Sequence, residues 1–107
     1  MALMENEKPY LNPSLTLFDV SSMTGIPPRS LSDVINSSLN KNFYDFINSF
    51  RIKEAETLLA ESHETKKTIL EILYQVGFNT KSSFNQAFKK HSGITPTQFK
   101  KQQLQLN

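Results

Sequence analysis

Apolar residues recur along this chain at three- and four-residue intervals, the period of a helix, and no stretch alternates convincingly with the period of a strand. Thr16 is a residue able to cap a short helix carrying Leu17, Val20 and Met23, which stops at Gly25, where a left-handed C-cap costs little. Pro28 suits a first helical turn, and Leu31, Val34 and Ile35 form the next apolar stripe. Asn42, with Asp45 three residues on, opens the longest run, Phe43 to Ser62, with apolar positions at Phe46, Ile47, Phe50, Ala55, Leu58 and Leu59. Thr68 caps a run from Ile69 to Val76 that Gly77 ends. Thr80 starts another through about His91, and Thr95-Pro96 opens a last one containing Phe99. Residues 1–12 hold a further short helix cut by Pro9 and Pro13, and the first few residues read as extraneous to the domain. The pattern predicts an all-α fold with Phe43, Phe46, Phe50, Phe84, Phe88 and Phe99 in its core.

The spacings repeat. Val20 to Gly25 matches Ile72 to Gly77, Leu31 to Ile35 matches Phe84 to Phe88, and Ile35 to Phe46 matches Phe88 to Phe99, with one extra residue near Asn79. Two copies of one unit are implied, each a helix, a tight turn beginning at glycine, and a second helix. In such a unit the first helix supports and the second is presented outward, so the second needs an apolar back and a hydrogen-bonding front. The stretch VGFNTKSSFNQAFKK fits: Phe84, Ala87 and Phe88 face the core, while Lys81, Ser82, Asn85, Gln86 and Lys89 face out. Lysines suit phosphates, and amides can donate to and accept from adenine in a major groove.

Charge sharpens this picture. The formal net charge is only +2, but residues 1–65 carry five basic and nine acidic side chains, and residues 66–107 seven basic and one acidic. The basic end is the expected contact for a polyanion. With no cysteine, a disulfide framework, a thiolate metal site and a catalytic thiol are excluded. No signal peptide or spanning segment is legible. His63 and His91 fall in separate elements, and neither a Gly-rich phosphate loop nor a nucleophile elbow is present, so no enzyme, metal site or cofactor is expected.

RIKEAETLL (Arg51 to Leu59), followed by ILEILYQVGFNTKSSFNQAFKKHSGITPTQF (Ile69 to Phe99), resembles the signature of AraC-type transcriptional regulators, and LSDVINSSLNKNFYDFINSFRIKEA resembles the first half of that domain. The resemblance covers roughly Tyr10 to Lys101. It implies a single domain over 1–107 with about seven helices: a helix-turn-helix subdomain over about 10–40, a linker helix over 43–62 and a second subdomain over 66–103. It also implies a cytoplasmic, sequence-specific binder of double-stranded DNA, partnered in the intact protein by a sensor domain and RNA polymerase, with no membrane contact by this domain. The expected DNA-binding residues are Arg29, Ser30, Ser32, Asp33 and Asn36 on the first recognition helix, and Thr80, Lys81, Ser82, Asn85, Gln86, Lys89 and Lys90 on the second. Asn42 and Thr95 are expected to cap helices and to offer N-termini to phosphate.

Three positions depart from the family pattern. Leu73 and Ser21 stand where alanine is usual, and Asp33 stands near a position where a basic or amide residue often contacts DNA. A carboxylate there opposes phosphate unless it accepts from cytosine N4 or pairs with Arg29. Arg51 reads as an ion-pair partner of Glu54. A linker of about 20 residues would span about 30 Å, close to the roughly 34 Å between successive major-groove faces. The rival reading is a helical protein-interaction module that does not bind DNA, which would expose an apolar patch in place of a basic one.

Overall fold

The computed structural model describes residues 2–106, and the regular elements among them are all helical. Seven α-helices follow one another: α1 (Ala2–Asn6), α2 (Leu17–Thr24), α3 (Pro28–Ser38), α4 (Phe43–Thr65), α5 (Ile69–Gln75), α6 (Lys81–Ser92) and α7 (Pro96–Leu106), with one 3-10 turn, Pro9–Leu11, after α1. Helices α2, α5 and α7 start with full capping boxes, the last between Thr95 and Gln98. The hydroxyls of Thr16 and Thr68 accept from the backbone N–H of Asp19 and Glu71, whose side chains accept in return from the threonine N–H groups. Each box satisfies two amides that a helix start leaves unpaired. Helix α4 continues past the expected Ser62, whose buried hydroxyl donates to the Leu59 carbonyl, and closes where Lys66 adopts a left-handed φ of 64°.

Helix α4 organises everything else. At 3.6 residues per turn, Phe43, Phe46, Ile47 and Phe50 fall on one side of it, and Ile52, Ala55 and Leu59 fall on nearly the opposite side. The first set joins Met4, Tyr10, Leu15, Val20, Leu31 and Ile35 in one core. The second joins Ile72, Leu73, Val76, Phe78, Phe84, Ala87 and Phe88 in another, with Phe99 packed against it. Aromatic rings run through this second core, Phe78 to Phe84 to Phe88 to Phe99, at centroid distances of 5.4, 5.6 and 5.6 Å. Their tilted and edge-on arrangement is the one ring quadrupoles favour.

Several expectations about the core are corrected. Val34 and Met23, placed in apolar stripes by spacing, are 53% and 52% exposed. Phe43, Phe50 and Phe99 pack against the cores but are only half-buried. Met4, among the residues read as extraneous, is fully buried, and so is Phe78 within a few per cent. The extra residue near Asn79 lengthens the second turn, where Phe78 tucks beneath α6. Leu73 fits its core without exposure, and the Ser21 hydroxyl donates to the Ile26 carbonyl, closing the α2–α3 turn.

Arg51 is the largest correction. It has no ion pair with Glu54, which instead binds Lys8 at 3.1 Å and lies 3.4 Å from the Tyr10 hydroxyl. Burial, and then the Glu54 charge, push the Tyr10 phenol up to about 12. The Arg51 guanidinium, 5% exposed, donates from Nε to the Tyr10 carbonyl (2.7 Å), from Nη2 to the Asn12 carbonyl (2.9 Å) and from Nη1 to Asn48 Oδ1 (3.2 Å). It also sits 5.7 Å from the Phe78 ring centroid. Burial draws its pKa down, but a guanidinium remains charged, and carbonyl oxygens with a ring face replace the missing carboxylate. One side chain thus ties the segment before α2 to α4 and to the α5–α6 turn.

Candidate nucleic-acid interface

Each helix-turn-helix unit presents its second helix outward. In α6 the buried back is Phe84, Ala87 and Phe88, and Lys81, Ser82, Asn85, Gln86, Lys89 and Lys90 are all exposed. In α3 the buried back is Leu31 and Ile35; Arg29, Ser30, Asp33 and Asn36 are exposed and Ser32 is half-buried. Aligning the buried pairs Leu31/Ile35 and Phe84/Phe88 puts Arg29 where α6 has Ser82, Ser32 where it has Asn85, Asp33 where it has Gln86, and Asn36 where it has Lys89. The two fronts share geometry and differ in chemistry.

The α6 front carries three lysines and no carboxylate, whereas the α3 front balances Arg29 against Asp33. These last two do not pair: among the described residues the ion pairs are Lys8–Glu54 and Lys90–Asp45. The Asn36 amide donates to Ser32 Oγ at 3.3 Å, which orders the far end of the α3 front. Lys90 is engaged too, its Nζ 2.9 Å from Asp45 in the first turn of α4.

The three cap residues are committed to their own helices. Asn42 Oδ1 accepts from the Asp45 N–H at 2.7 Å, Thr80 Oγ1 from the Ser83 N–H at 3.1 Å, and Thr95 Oγ1 from the Gln98 N–H at 3.2 Å. Gln98 returns the bond by accepting from the Thr95 N–H. A phosphate at these ends would meet the remaining N–H groups of the first turn and not the cap side chains.

Helices α3 and α6 both pack on α4, from different sides of it. Leu31 and Ile35 of α3 share a core with Phe46 and Ile47. On the other side, Ser83, Gln86, Ala87, Lys90 and His91 of α6 enclose with Tyr44, Asp45 and Asn48 an open cleft of about 200 Å³.

Sequence reasoning passed over this cleft. Tyr44, Asp45 and Asn48 lie far from Gln86 and Lys90 in the chain, and only Tyr44, an aromatic ring outside the apolar stripe of α4, could have hinted at a surface role. At its edge His91 Nε2 is buried without a hydrogen-bond partner. Burial lowers the His91 pKa, Lys41 and Lys90 lower it further, and Asp45 partly offsets them. The other histidine, His63, lines a separate basic cleft of about 250 Å³ with Lys66, Lys67 and Lys100, at the far end of α4.

Two tandem helix-turn-helix units, each offering a polar helix front, define the DNA-binding domain of a transcription regulator. The model of a helix-turn-helix domain family matches residues 20–102. This chain belongs to that AraC-type helix-turn-helix family. It is 31% identical over 100 residues to an HTH-type transcriptional regulator of Pseudoalteromonas carrageenovora, an alignment that takes in 94% of this chain and 57% of the relative. The chain therefore spans little more than half of that curated relative. Among solved structures, the C-terminal domain of AraT, a response regulator from Geobacillus stearothermophilus, superposes with a TM-score of 0.73 at 32% identity, covering 89% of this chain and 76% of that one. The C-terminal domain of the two-component response regulator yesN from Fusobacterium nucleatum gives 0.72 at 30% identity, covering 92% and 95%. No helix among the described residues is long and apolar enough to cross a membrane.

Proposed function

We propose that this domain reads a specific duplex sequence by setting α3 and α6 into successive major grooves on one side of the DNA. The observation that supports this most is the pair of exposed fronts held at equivalent positions of two structural repeats on one unbroken helix, α4, of 23 residues. Phosphate contacts from Lys81, Lys89 and Lys90 supply sequence-independent affinity, and the helix starts at Thr80, Asn42 and Thr95 add backbone N–H groups. Base contacts come from Gln86 and Asn85 on α6, and from Arg29, Ser30, Ser32, Asp33 and Asn36 on α3. A cytoplasmic setting follows from a DNA target. In the intact protein a sensor domain precedes this one, as in the response regulators whose C-terminal domains it resembles, and RNA polymerase is the partner it recruits or blocks.

Selection from a random duplex pool, followed by footprinting with demonstrably monomeric protein, tests this reading. The expected result is a bipartite site protected over about two helical turns. Protection confined to one turn overturns bipartite docking. No duplex binding at any salt concentration would favour a protein-interaction module, for which exposed Phe18, Leu70 and Tyr74 would be the contact surface.

A further inference from the structure

We infer that the cleft between the first turn of α4 and α6 is a binding site for one backbone phosphate of the bound duplex, with Tyr44 and Lys90 as its ligands and Asp45 as a built-in competitor. The inference rests on the DNA-binding reading and adds to it a contact from α4, made by Tyr44 beside Lys90 of α6. Tyr44 is 60% exposed at the start of α4. Tyr44 lines one open cleft with Gln86 and Lys90, two members of the α6 front. A duplex seated on Gln86 brings its sugar–phosphate chain within reach of the same walls. A phenol can donate to a phosphate oxygen, and an ammonium can pair with one.

In the free chain that position on Lys90 is taken. Asp45 Oδ1 is 2.9 Å from Lys90 Nζ, and both side chains keep access to water. Ion pairs so exposed are weak and exchange readily. Binding swaps one anion for another on the same ammonium, and the released Asp45 must then regain a counterion. The swap therefore contributes almost no net counterion release, although a lysine–phosphate contact forms. Asp45 holds down affinity for every sequence alike and leaves discrimination to the base contacts.

The test uses the selected duplex, a salt series, and the variants Tyr44→Phe, Asp45→Asn and Lys90→Gln, each checked for native helicity. Tyr44→Phe should weaken binding about tenfold by removing one charge-assisted hydrogen bond. Asp45→Asn should tighten binding on cognate and random duplex together and steepen the slope of log affinity against log salt by about 0.9. Because Asp45 lies in the first turn of α4, Lys90→Gln on exposed α6 gives a second route. Its loss of affinity should vanish on a duplex carrying a neutral methylphosphonate at one position, and Tyr44→Phe should be silent at that same position. Weaker binding by Asp45→Asn, or an unchanged slope, would make the pair a structural strut and overturn the inference, as would an unaffected Tyr44→Phe. Absence of duplex binding by the native chain overturns the DNA-binding reading as well, and so separates the two failures.

Discussion

Replacing Gly77 by alanine should cost this fold far more than the same change at Gly25, although both glycines follow the first helix of their unit. Gly25 has φ 73°, and a Cβ built there meets nothing within 4 Å. Only the left-handed backbone is penalised, by about 1 kcal/mol. Gly77 has φ 104°, and a Cβ there would lie 2.6 Å from the Tyr10 carbonyl oxygen, 2.9 Å from Arg51 Nε and 3.1 Å from the Leu11 carbonyl oxygen. Two of these three atoms are backbone, and the third belongs to a guanidinium held by three hydrogen bonds. Relief requires the Tyr10 carbonyl to withdraw from Arg51, which removes a hydrogen bond from a buried charge at about 1.5 to 3 kcal/mol. The expected total is about 2.5 to 4 kcal/mol. Urea unfolding followed by far-ultraviolet circular dichroism should show it, with Gly25→Ala and Gly93→Ala as controls, since a Cβ at Gly93 also meets open space. Equal losses at Gly77 and Gly25 would refute the close approach of the segment before α2 as the reason for glycine at position 77.

Gln86→Ala should cost about 1 to 3 kcal/mol on the selected duplex and relax one base position, whereas a competition assay showing unaltered base preference would remove Gln86 from the reading face. Asp33→Ala should leave affinity unchanged or slightly raised on every sequence; a loss limited to duplexes with cytosine at one position would instead make Asp33 a base reader. Lys81→Ala with Lys89→Ala should weaken all duplexes similarly and flatten the salt slope by about 1.8, and an untouched slope would mean that the α6 lysines are merely solvated. His91 binds its proton less readily in the folded chain than in the unfolded one, so acidification from about pH 6.5 downward should erode stability. The groups facing it are Lys41, Lys90 and Asp45, with Lys53 and Glu56 lining the cleft on its other side. Urea titrations at pH 5 and 7 should differ less for His91→Gln than for the native chain.

What the sequence disclosed and what it hid divide along the range of the interactions involved. Thr16, Asn42, Thr68, Thr80 and Thr95 were legible as helix starts because a cap is a contact over three residues, complete within the local chain. The doubled unit was legible because packing on α4 imposes the same spacings twice. Arg51 was misread because its partners, Tyr10 and Asn12, lie some forty residues away, and a carbonyl leaves no mark in a sequence. Met4, Tyr10 and Phe78 were missed as core residues for the same reason: they sit in short or irregular segments where no period announces burial. Val34 and Met23 failed in the opposite sense. Helical spacing makes a residue eligible for burial, but a small domain lacks the material to cover every eligible side chain. At the interface, the front of α6 was readable from one helix, whereas the cleft opposite Tyr44 and Asp45 exists only after α4 and α6 meet.

The opposed faces of α4 make the spacing of this domain stepwise. One residue inserted between Phe50 and Ile52 would advance the second face by about 1.5 Å and rotate it by about 100° against the first. Everything hung on that face would swing round with it, α6 included, as a cam turns on its shaft. Inserting three or four residues nearly restores the angle but slides the modules about 5 Å apart. Neither change is gradual, so this chain has no small adjustment with which to follow a target site that gains or loses a single base pair. Any such accommodation falls to the duplex, through its twist and curvature, or to the replacement of side chains on one reading front.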